Sequence, residues 1–248
     1  MQRNAGPPRQ VQADGRRVGH EELDRRQHGI GYDGRRDRPR DLVLRRPVML
    51  DARLRPIIDV PLNSIGQWLA GRGIGANGVT MAGMVVGLAA AAAIGQGEYR
   101  TGLLLILVNR LLDGLDGAIA RASRLTDFGG YLDIVADFVF YVAVPVGFGL
   151  ASPSNLVPAL LLVASFALTG ISFLAFATLA AKRGIETAAH GRKSFFYDTG
   201  IAEGTETIAA FILMSLFPTY FPTIAVIYAS LCVLTIAQRS FGAWHRFR

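Results

Sequence analysis

The sequence predicts an all-α integral membrane protein, with six transmembrane helices preceded by an N-terminal interfacial helix. Its composition is the first reason, because 51% of the residues are hydrophobic, only 18% are charged and the mean hydropathy is +0.32. Such values are typical of membrane proteins. The second reason is a series of long apolar runs separated by short polar connections, and the third is a concentration of basic residues in alternate connections.

Six apolar segments have lengths that suit membrane spans. We predict these spans at residues 76–95, 102–122, 128–150, 157–181, 204–217 and 222–238. Ahead of them, residues 57–69 place apolar side chains on one helix face and polar side chains on the other. Trp68 close to Arg72 suits a helix that lies in the membrane interface, although an ordinary packing helix would share this pattern.

The N-terminal region differs in composition from the rest of the chain. Residues 1–60 hold 14 Arg, no Lys and 9 acidic residues. Because residues 1–46 lack the apolar periodicity that builds a core, we predict a disordered Arg-rich tail there, and a six-helix domain at residues 47–248. The tail has no apolar h-region of a signal peptide. We also expect that it is not part of the functional unit, and that translation can begin at Met49.

The basic residues predict the orientation in the membrane. A sequence pI near 10.1 can indicate a nucleic-acid partner, but here the excess charge lies in the tail and at the predicted membrane borders, so we expect no nucleic acid. One side of the predicted bundle carries Arg121, Arg124, Lys182, Arg183, Arg192, Lys193, Arg239, Arg246 and Arg248, whereas the connections on the opposite side carry only Arg100. The positive-inside rule then places both termini on the cytoplasmic face of the cell (inner) membrane.

Four aspartates lie inside predicted spans, Asp113 and Asp116 in the second and Asp133 and Asp137 in the third. A charge there costs several kcal/mol unless it is paired or bound to metal. Each pair shares one helix face, since the spacings are i, i+3 and i, i+4. An antiparallel hairpin centred on residues 122–127 would set Asp113 opposite Asp137 and Asp116 opposite Asp133. The sequence therefore predicts that four carboxylates converge near the cytoplasmic side.

Converging anions in a low dielectric repel one another unless cations hold them. Carboxylate oxygens with no His or Cys nearby select Mg²⁺ or Mn²⁺, and Ca²⁺ is also compatible. Two hard ions suit phosphoryl chemistry, because together they clamp a diphosphate and neutralise its leaving group. We therefore predict that Asp113, Asp116, Asp133 and Asp137 bind two Mg²⁺ or Mn²⁺ ions.

Small and basic residues accompany the aspartates. Gly117 and Ala120 share their helix face and would let a bulky ligand approach the backbone, and Arg121 at the helix end can bind phosphate. Arg110, one turn deeper, is predicted to pair with Asp113. Buried acids neutralised by the two arginines, or an ion-conducting path, are the alternative interpretation. That alternative does not require small residues between the acids.

These residues resemble the signature of the CDP-alcohol phosphotransferases (CDP-alcohol phosphatidyltransferases), which is Asp-x2-Asp-Gly-x2-Ala-Arg, a spacer, and Gly-x3-Asp-x3-Asp. Every fixed position has a counterpart here, in Asp113, Asp116, Gly117, Ala120, Arg121, Gly129, Asp133 and Asp137. So many fixed positions make a specific motif. The six-helix layout extends the resemblance to roughly residues 50–240.

The resemblance implies a transferase of phospholipid biosynthesis. In this family the hydroxyl of an alcohol attacks a CDP-activated lipid, typically CDP-diacylglycerol, and releases CMP. Family members bind two metal ions through the four aspartates, and the last aspartate is proposed as general base, which implies catalytic roles for Asp137 and Asp133. The nucleotide is implied to bind at Gly117, Ala120, Arg121 and Gly129. Members are commonly homodimers, and the resemblance extends that expectation to this chain.

The first span opens with Asn77 and Thr80, which are similar to the Pro-Asn-x-x-Thr entry of the family, with Ala76 in place of proline. Both side chains are predicted to lie on one face at the level of the active site. Contact with the nucleotide is one interpretation. A simple N-cap at Asn77 is the other.

The polar connection at residues 182–200 is the expected site of acceptor recognition, although the positive-inside rule also explains its basic residues. Two carboxylates, Glu203 and Glu206, stand at the entrance of the fifth span. They would bind a polyol or amino alcohol, or form salt bridges with Arg192 or Lys193. The sequence leaves the alcohol acceptor open.

A divalent-cation transporter or binding protein is the alternative function, since it would also use intramembrane carboxylates. It requires polar residues along a complete path through the membrane. The outer parts of the second and third spans, residues 103–108 and 142–150, are almost wholly apolar. The sequence therefore favours the transferase.

Overall fold

The computed structural model describes residues 50–183 and 204–248, which form helices joined by short turns and contain no strand. The predicted tail at residues 1–46 and most of the 182–200 connection lie outside the described residues. The α-helices are α1 (Leu50–Gly71), α2 (Ala76–Gly95), α3 (Tyr99–Ala122), α4 (Asp127–Ala151), α5 (Leu156–Lys182), α6 (Gly204–Leu216) and α7 (Phe221–Phe247). Two short 3₁₀ turns, Pro153–Asn155 and Pro218–Tyr220, precede α5 and α7.

The all-helical prediction is confirmed for these residues, and four helical segments are long and apolar enough to cross a membrane. They are Ala76–Gly95, Asp127–Ala151, Pro153–Lys182 and Pro218–Phe247. Helix α3 contains two signature aspartates and three arginines, which lower its hydropathy, and α6 has only 13 residues. The count of six spans and the interfacial position of α1 therefore remain predictions.

Short connections make neighbouring helices antiparallel. Gly97 ends the α2–α3 turn with a positive φ of 82°, a conformation that glycine adopts without steric cost. At the start of α4, the Thr126 hydroxyl accepts a hydrogen bond of 3.0 Å from the Gly129 amide, as an N-cap does. The α3–α4 hairpin that the aspartates require is therefore formed.

Helix α2 packs against both α3 and α4, while α5 packs against α4 and α7. Between them lies an aromatic and aliphatic core, in which Phe148 stacks on Phe221 with ring centroids 4.5 Å apart. Phe140 meets Phe211 edge to face at 5.6 Å. Phe140 belongs to this core and also lies beneath Arg110, so the core forms the floor of the polar region described below.

Glycines allow the helices to approach closely. A Cβ added to Gly147 of α4 would overlap the carbonyl oxygen of Ala91 in α2. Helix α1 crosses α3 in the same way, because a Cβ on Gly66 would lie 2.6 Å from the Cβ of Ala118. Small residues at helix crossings are a common packing device in membrane proteins.

We expect the substitution Gly147→Ala to destabilise the bundle by about 1–3 kcal/mol, because overpacking pushes α2 and α4 apart. Thermal unfolding of the detergent-purified protein measures the effect. Gly130→Ala is the matched control on the same helix, since nothing lies within 4 Å of its added Cβ. Equal stability of the two variants would contradict the close approach.

Candidate active site

A cleft between α2, α3 and α4 contains the predicted site, and its empty volume is about 210 Å³. It is lined by Thr80, Gly83, Met84, Asn109, Arg110, Asp113, Asp116, Ala136 and Asp137. Three of the four predicted aspartates thus face one cleft.

The α3 aspartates differ in their surroundings. Asp113 is partly exposed, whereas Asp116 is only 5% exposed. The Thr80 hydroxyl of α2 donates to the Ala76 carbonyl at 3.1 Å and also lies near Asp116, as does the backbone amide of Gly117. The second carboxylate oxygen of Asp116, Oδ2, is buried and has no hydrogen-bond partner within the described part of the chain. A buried carboxylate oxygen in this state is costly unless a cation or another donor reaches it.

The α4 aspartates face those of α3, as the hairpin predicts. One guanidinium nitrogen of Arg110 lies 3.0 Å from Asp137 Oδ1 and 3.7 Å from Asp113 Oδ2, so these two carboxylates are close together. Asp133 is near enough to interact electrostatically with both Asp116 and Asp137. The four carboxylates therefore converge.

Arg110 has contacts that the sequence did not predict. Pairing with Asp113 is confirmed, but the shorter contact is with Asp137 on the opposite helix. Its Nε donates to Asn109 Oδ1 at 2.8 Å, and Asn109 Nδ2 donates to the Gly83 carbonyl of α2 at the same distance. The signal that could have found Asn109 is a carboxamide in an apolar helix, where it needs a partner.

Gly117, Ala120 and Arg121, which are assigned to the nucleotide, are not among the residues that line the cleft, and they follow Asp116 along the last turns of α3. Arg121 is exposed, folds back beside Gly117 and donates a 3.0 Å hydrogen bond to Asn63 of α1. Ala120 is partly buried on the same helix. Arg121 therefore connects α1 to the signature helix, a contact that sequence spacing did not suggest.

Asn77 and Gly129 meet at the N-termini of α2 and α4. A Cβ on Gly129 would lie 3.2 Å from Asn77 Oδ1 and 2.9 Å from the Thr126 hydroxyl oxygen. Gly75, not Asn77, holds the N-cap position of α2, and Asn77 lies within the first turn. The N-cap interpretation of Asn77 is therefore wrong, because α2 begins one residue before it.

The chemistry of the donors fits a divalent cation, because all four predicted ligands are hard carboxylate oxygens and Asp116 Oδ2 is buried without a donor. Within residues 50–183 and 204–248, however, no three His, Cys, Asp or Glu side chains are arranged to hold one ion. To coordinate one ion together, the carboxylates would have to turn towards a common point.

Only part of the predicted acceptor region belongs to the described residues, and Glu203 does not. Arg183 donates to the backbone carbonyls of Arg246 and Phe247 at 3.2 and 2.7 Å, so it joins the ends of α5 and α7. Glu206 lies in the first turn of α6. Arg239 of α7 is buried against α5, where it donates to the Thr169 carbonyl at 3.0 Å.

The sequence matches a family model and several known proteins. The family model for CDP-alcohol phosphatidyltransferase matches residues 74–238. The inner membrane protein YnjF of Escherichia coli is 46% identical over 197 residues, which are 79% of this chain and 96% of that protein. Archaetidylinositol phosphate synthase of Methanothermobacter thermautotrophicus is 29% identical, over 78% of this chain and 94% of its own length.

The fold also matches solved structures of phosphatidylinositol phosphate synthase from Mycobacterium tuberculosis. One structure has CDP-DAG bound and aligns with a TM-score of 0.59 and 21% identity, over 74% of this chain and 93% of that chain. Another, in complex with manganese and citrate, also gives 0.59 at 20% identity, over 74% and 88%. With three signature aspartates in one cleft and the family model matching residues 74–238, this chain belongs to the CDP-alcohol phosphatidyltransferase family.

Proposed function

We propose that this protein transfers a phosphatidyl group from CDP-diacylglycerol to the hydroxyl group of an alcohol. The alcohol oxygen forms a bond to the phosphorus that carries the diacylglycerol, the bond from that phosphorus to the bridging oxygen breaks, and CMP leaves with that oxygen. The observation that carries this proposal is that Asp113, Asp116 and Asp137 line one cleft, with Asp133 close enough to interact electrostatically with two of them. The similar mycobacterial protein with CDP-DAG bound supports the choice of donor.

We assign Asp113, Asp116, Asp133 and Asp137 as ligands of two Mg²⁺ or Mn²⁺ ions, and the mycobacterial structure with manganese supports a divalent metal. When bound, such ions would neutralise the diphosphate and the departing CMP. Asp137 accepts a hydrogen bond from Arg110 at Oδ1. We assign its other carboxylate oxygen as the acceptor of the hydroxyl proton, beside Asp133.

The nucleotide would bind at the open end of the cleft, where small residues leave the α3 backbone accessible. Gly117, Ala120 and Gly129 would allow close approach of the cytidine phosphate. Arg121 would exchange its hydrogen bond with Asn63 for one to a phosphate oxygen, because a charged acceptor binds a guanidinium more strongly. Asn77 and Thr80 border the same end from α2.

We further propose six spans, with α3 and α6 added to the four apolar segments, and a cytoplasmic active site and termini. Helix α1 would lie in the interface, because Trp68 is 55% exposed and the Arg72 guanidinium lies 3.7 Å from its ring centroid. The catalytic domain would comprise residues 47–248, with the tail at residues 1–46 dispensable. We also propose that the protein forms a homodimer, as members of the family commonly do.

A cation transporter fits the packing less well. Below Arg110 the described part of the bundle is closed by residues of the apolar core, among them Ile94, Ile106, Phe140 and Val144, each at most 1% exposed. A permeation path needs polar groups or water through this region. The arrangement of a cleft open on one side suits an enzyme that meets a lipid donor and a soluble acceptor.

The transferase proposal predicts release of CMP from CDP-diacylglycerol when purified protein is given Mg²⁺ or Mn²⁺ and an accepted alcohol. Asp113→Ala or Asp133→Ala should lower turnover by at least roughly a hundredfold, since even residues that only support metal ligands cost 10- to 100-fold. CMP is measured by chromatography across a panel of alcohols that includes inositol phosphate, glycerol phosphate, serine and choline.

Asp127→Asn is the matched control, because Asp127 begins α4 on the same hairpin, is exposed and lies outside the signature. We expect it to keep its turnover. Full activity of either alanine variant would contradict the metal assignment. Cation flux into proteoliposomes without CMP release would favour the transporter instead.

The topology proposal predicts opposite labelling of two engineered cysteines. Ser123 lies just after α3 at the hairpin end, and Ser154 lies in the turn between α4 and α5, and both are exposed. In intact cells a membrane-impermeant thiol reagent should label Ser154→Cys but not Ser123→Cys. In inverted membrane vesicles the pattern should reverse. The native Cys232 is buried and gives the background signal in the parent protein. The reverse pattern, or equal labelling, would overturn the orientation.

A further inference from the structure

We propose that Arg110 is a resident counter-cation of the active site. Its single positive charge partly offsets the negative charges of Asp113 and Asp137 in the metal-free protein, and its guanidinium competes with divalent ions for their oxygens. This inference rests on the proposed metal site, and it assigns a role to a residue outside the signature.

The first step in the argument is that Arg110 is held in place from several sides. Asn109, itself anchored to the Gly83 carbonyl, accepts a hydrogen bond from Arg110 Nε. The guanidinium carbon lies 4.3 Å from the centroid of the Phe140 ring, within the range of a cation–π interaction. The side chain is only 17% exposed. Arg110 is therefore fixed by the fold and does not rest in the cleft by chance.

The second step is that one nitrogen contacts both carboxylates. Its distances are 3.0 Å to Asp137 Oδ1 and 3.7 Å to Asp113 Oδ2. A Mg²⁺ ion needs each oxygen at about 2.0–2.1 Å. The described side chains offer no group of three acids arranged for one ion. Loading therefore requires the two carboxylates to turn away from Arg110, or to divide their oxygens between the guanidinium and the ion.

The third step is electrostatic. A fixed positive charge beside a divalent cation weakens binding of that cation, because like charges repel one another more strongly in the low dielectric of a protein interior than in water. Arg110 also offsets the mutual repulsion of the acids when no ion is bound. Removing its charge should therefore have opposite effects on the two states: lower stability without metal and tighter binding of metal. If Arg110 had only a structural role, its substitution would lower both the stability of the metal-free protein and its metal affinity.

The experiment measures Mn²⁺ affinity by electron paramagnetic resonance, and thermal unfolding with and without Mn²⁺. For Arg110→Gln we expect Mn²⁺ to bind about tenfold more tightly, which corresponds to about 1.4 kcal/mol. The metal-free variant should unfold at a lower temperature than the parent, and Mn²⁺ should raise that temperature by more than in the parent. Arg110→Lys keeps the charge but loses the planar fork, so its Mn²⁺ affinity should lie between those of the parent and of the Arg110→Gln variant.

Arg100→Gln is the matched control, because it removes the same charge from the opposite end of α3, far along the helix from the aspartates. Its Mn²⁺ affinity should equal that of the parent. Unchanged or weaker Mn²⁺ binding by the Gln variant overturns the inference, and the Lys variant decides the same question if the Gln variant does not fold. A parent protein that binds no Mn²⁺ would instead refute the metal site of the proposed function.

Discussion

Acidic side chains held between apolar helices impose the main physical constraint on this protein. Asp116 is almost fully buried, and Asp113, Asp133 and Asp137 lie close enough to repel it or one another. In a low dielectric, such a cluster is stable only when donors and cations compensate its charge. Arg110 supplies part of this compensation from inside the bundle, and Asp116 Oδ2, which is buried without a hydrogen-bond partner among the described residues, is where a further donor or cation would be needed.

The helix packing follows from this requirement. For the Gly83 carbonyl to reach Asn109, α2 must lie close to α3, and a Cβ on Gly87 would already be 3.1 Å from Asn109 Nδ2 and 3.0 Å from Phe140. The same Phe140 belongs to the aromatic core and lies under Arg110. Core packing and cleft geometry therefore depend on each other, because Phe140 closes the apolar interior and also contacts Arg110, the basic residue that lines the cleft.

The sequence predicted helix positions well because apolar run length is a direct signal in a membrane protein. The second to fifth predicted spans agree with α3 to α6 within a few residues. The largest difference is α7, which continues to Phe247 where the prediction ended at residue 238. The apolar criterion stops at Arg239, but a helix continues past the hydrocarbon boundary as long as its backbone hydrogen bonds are made. The sequence of α1 also did not predict the close contact of Gly66 with Ala118 of α3.

The sequence by itself determined the helical class, the hairpin and the convergence of Asp113 with Asp137, because helical periodicity and a short connection leave few other arrangements. Only the tertiary structure decided that Arg110 lies closer to Asp137 on α4 than to Asp113 on its own helix. It also decided that Asn109, anchored to the Gly83 carbonyl of α2, orients Arg110. Contacts between helices depend on their separation and rotation, which are set by the summed packing of many side chains and cannot be derived from the spacing along any one helix.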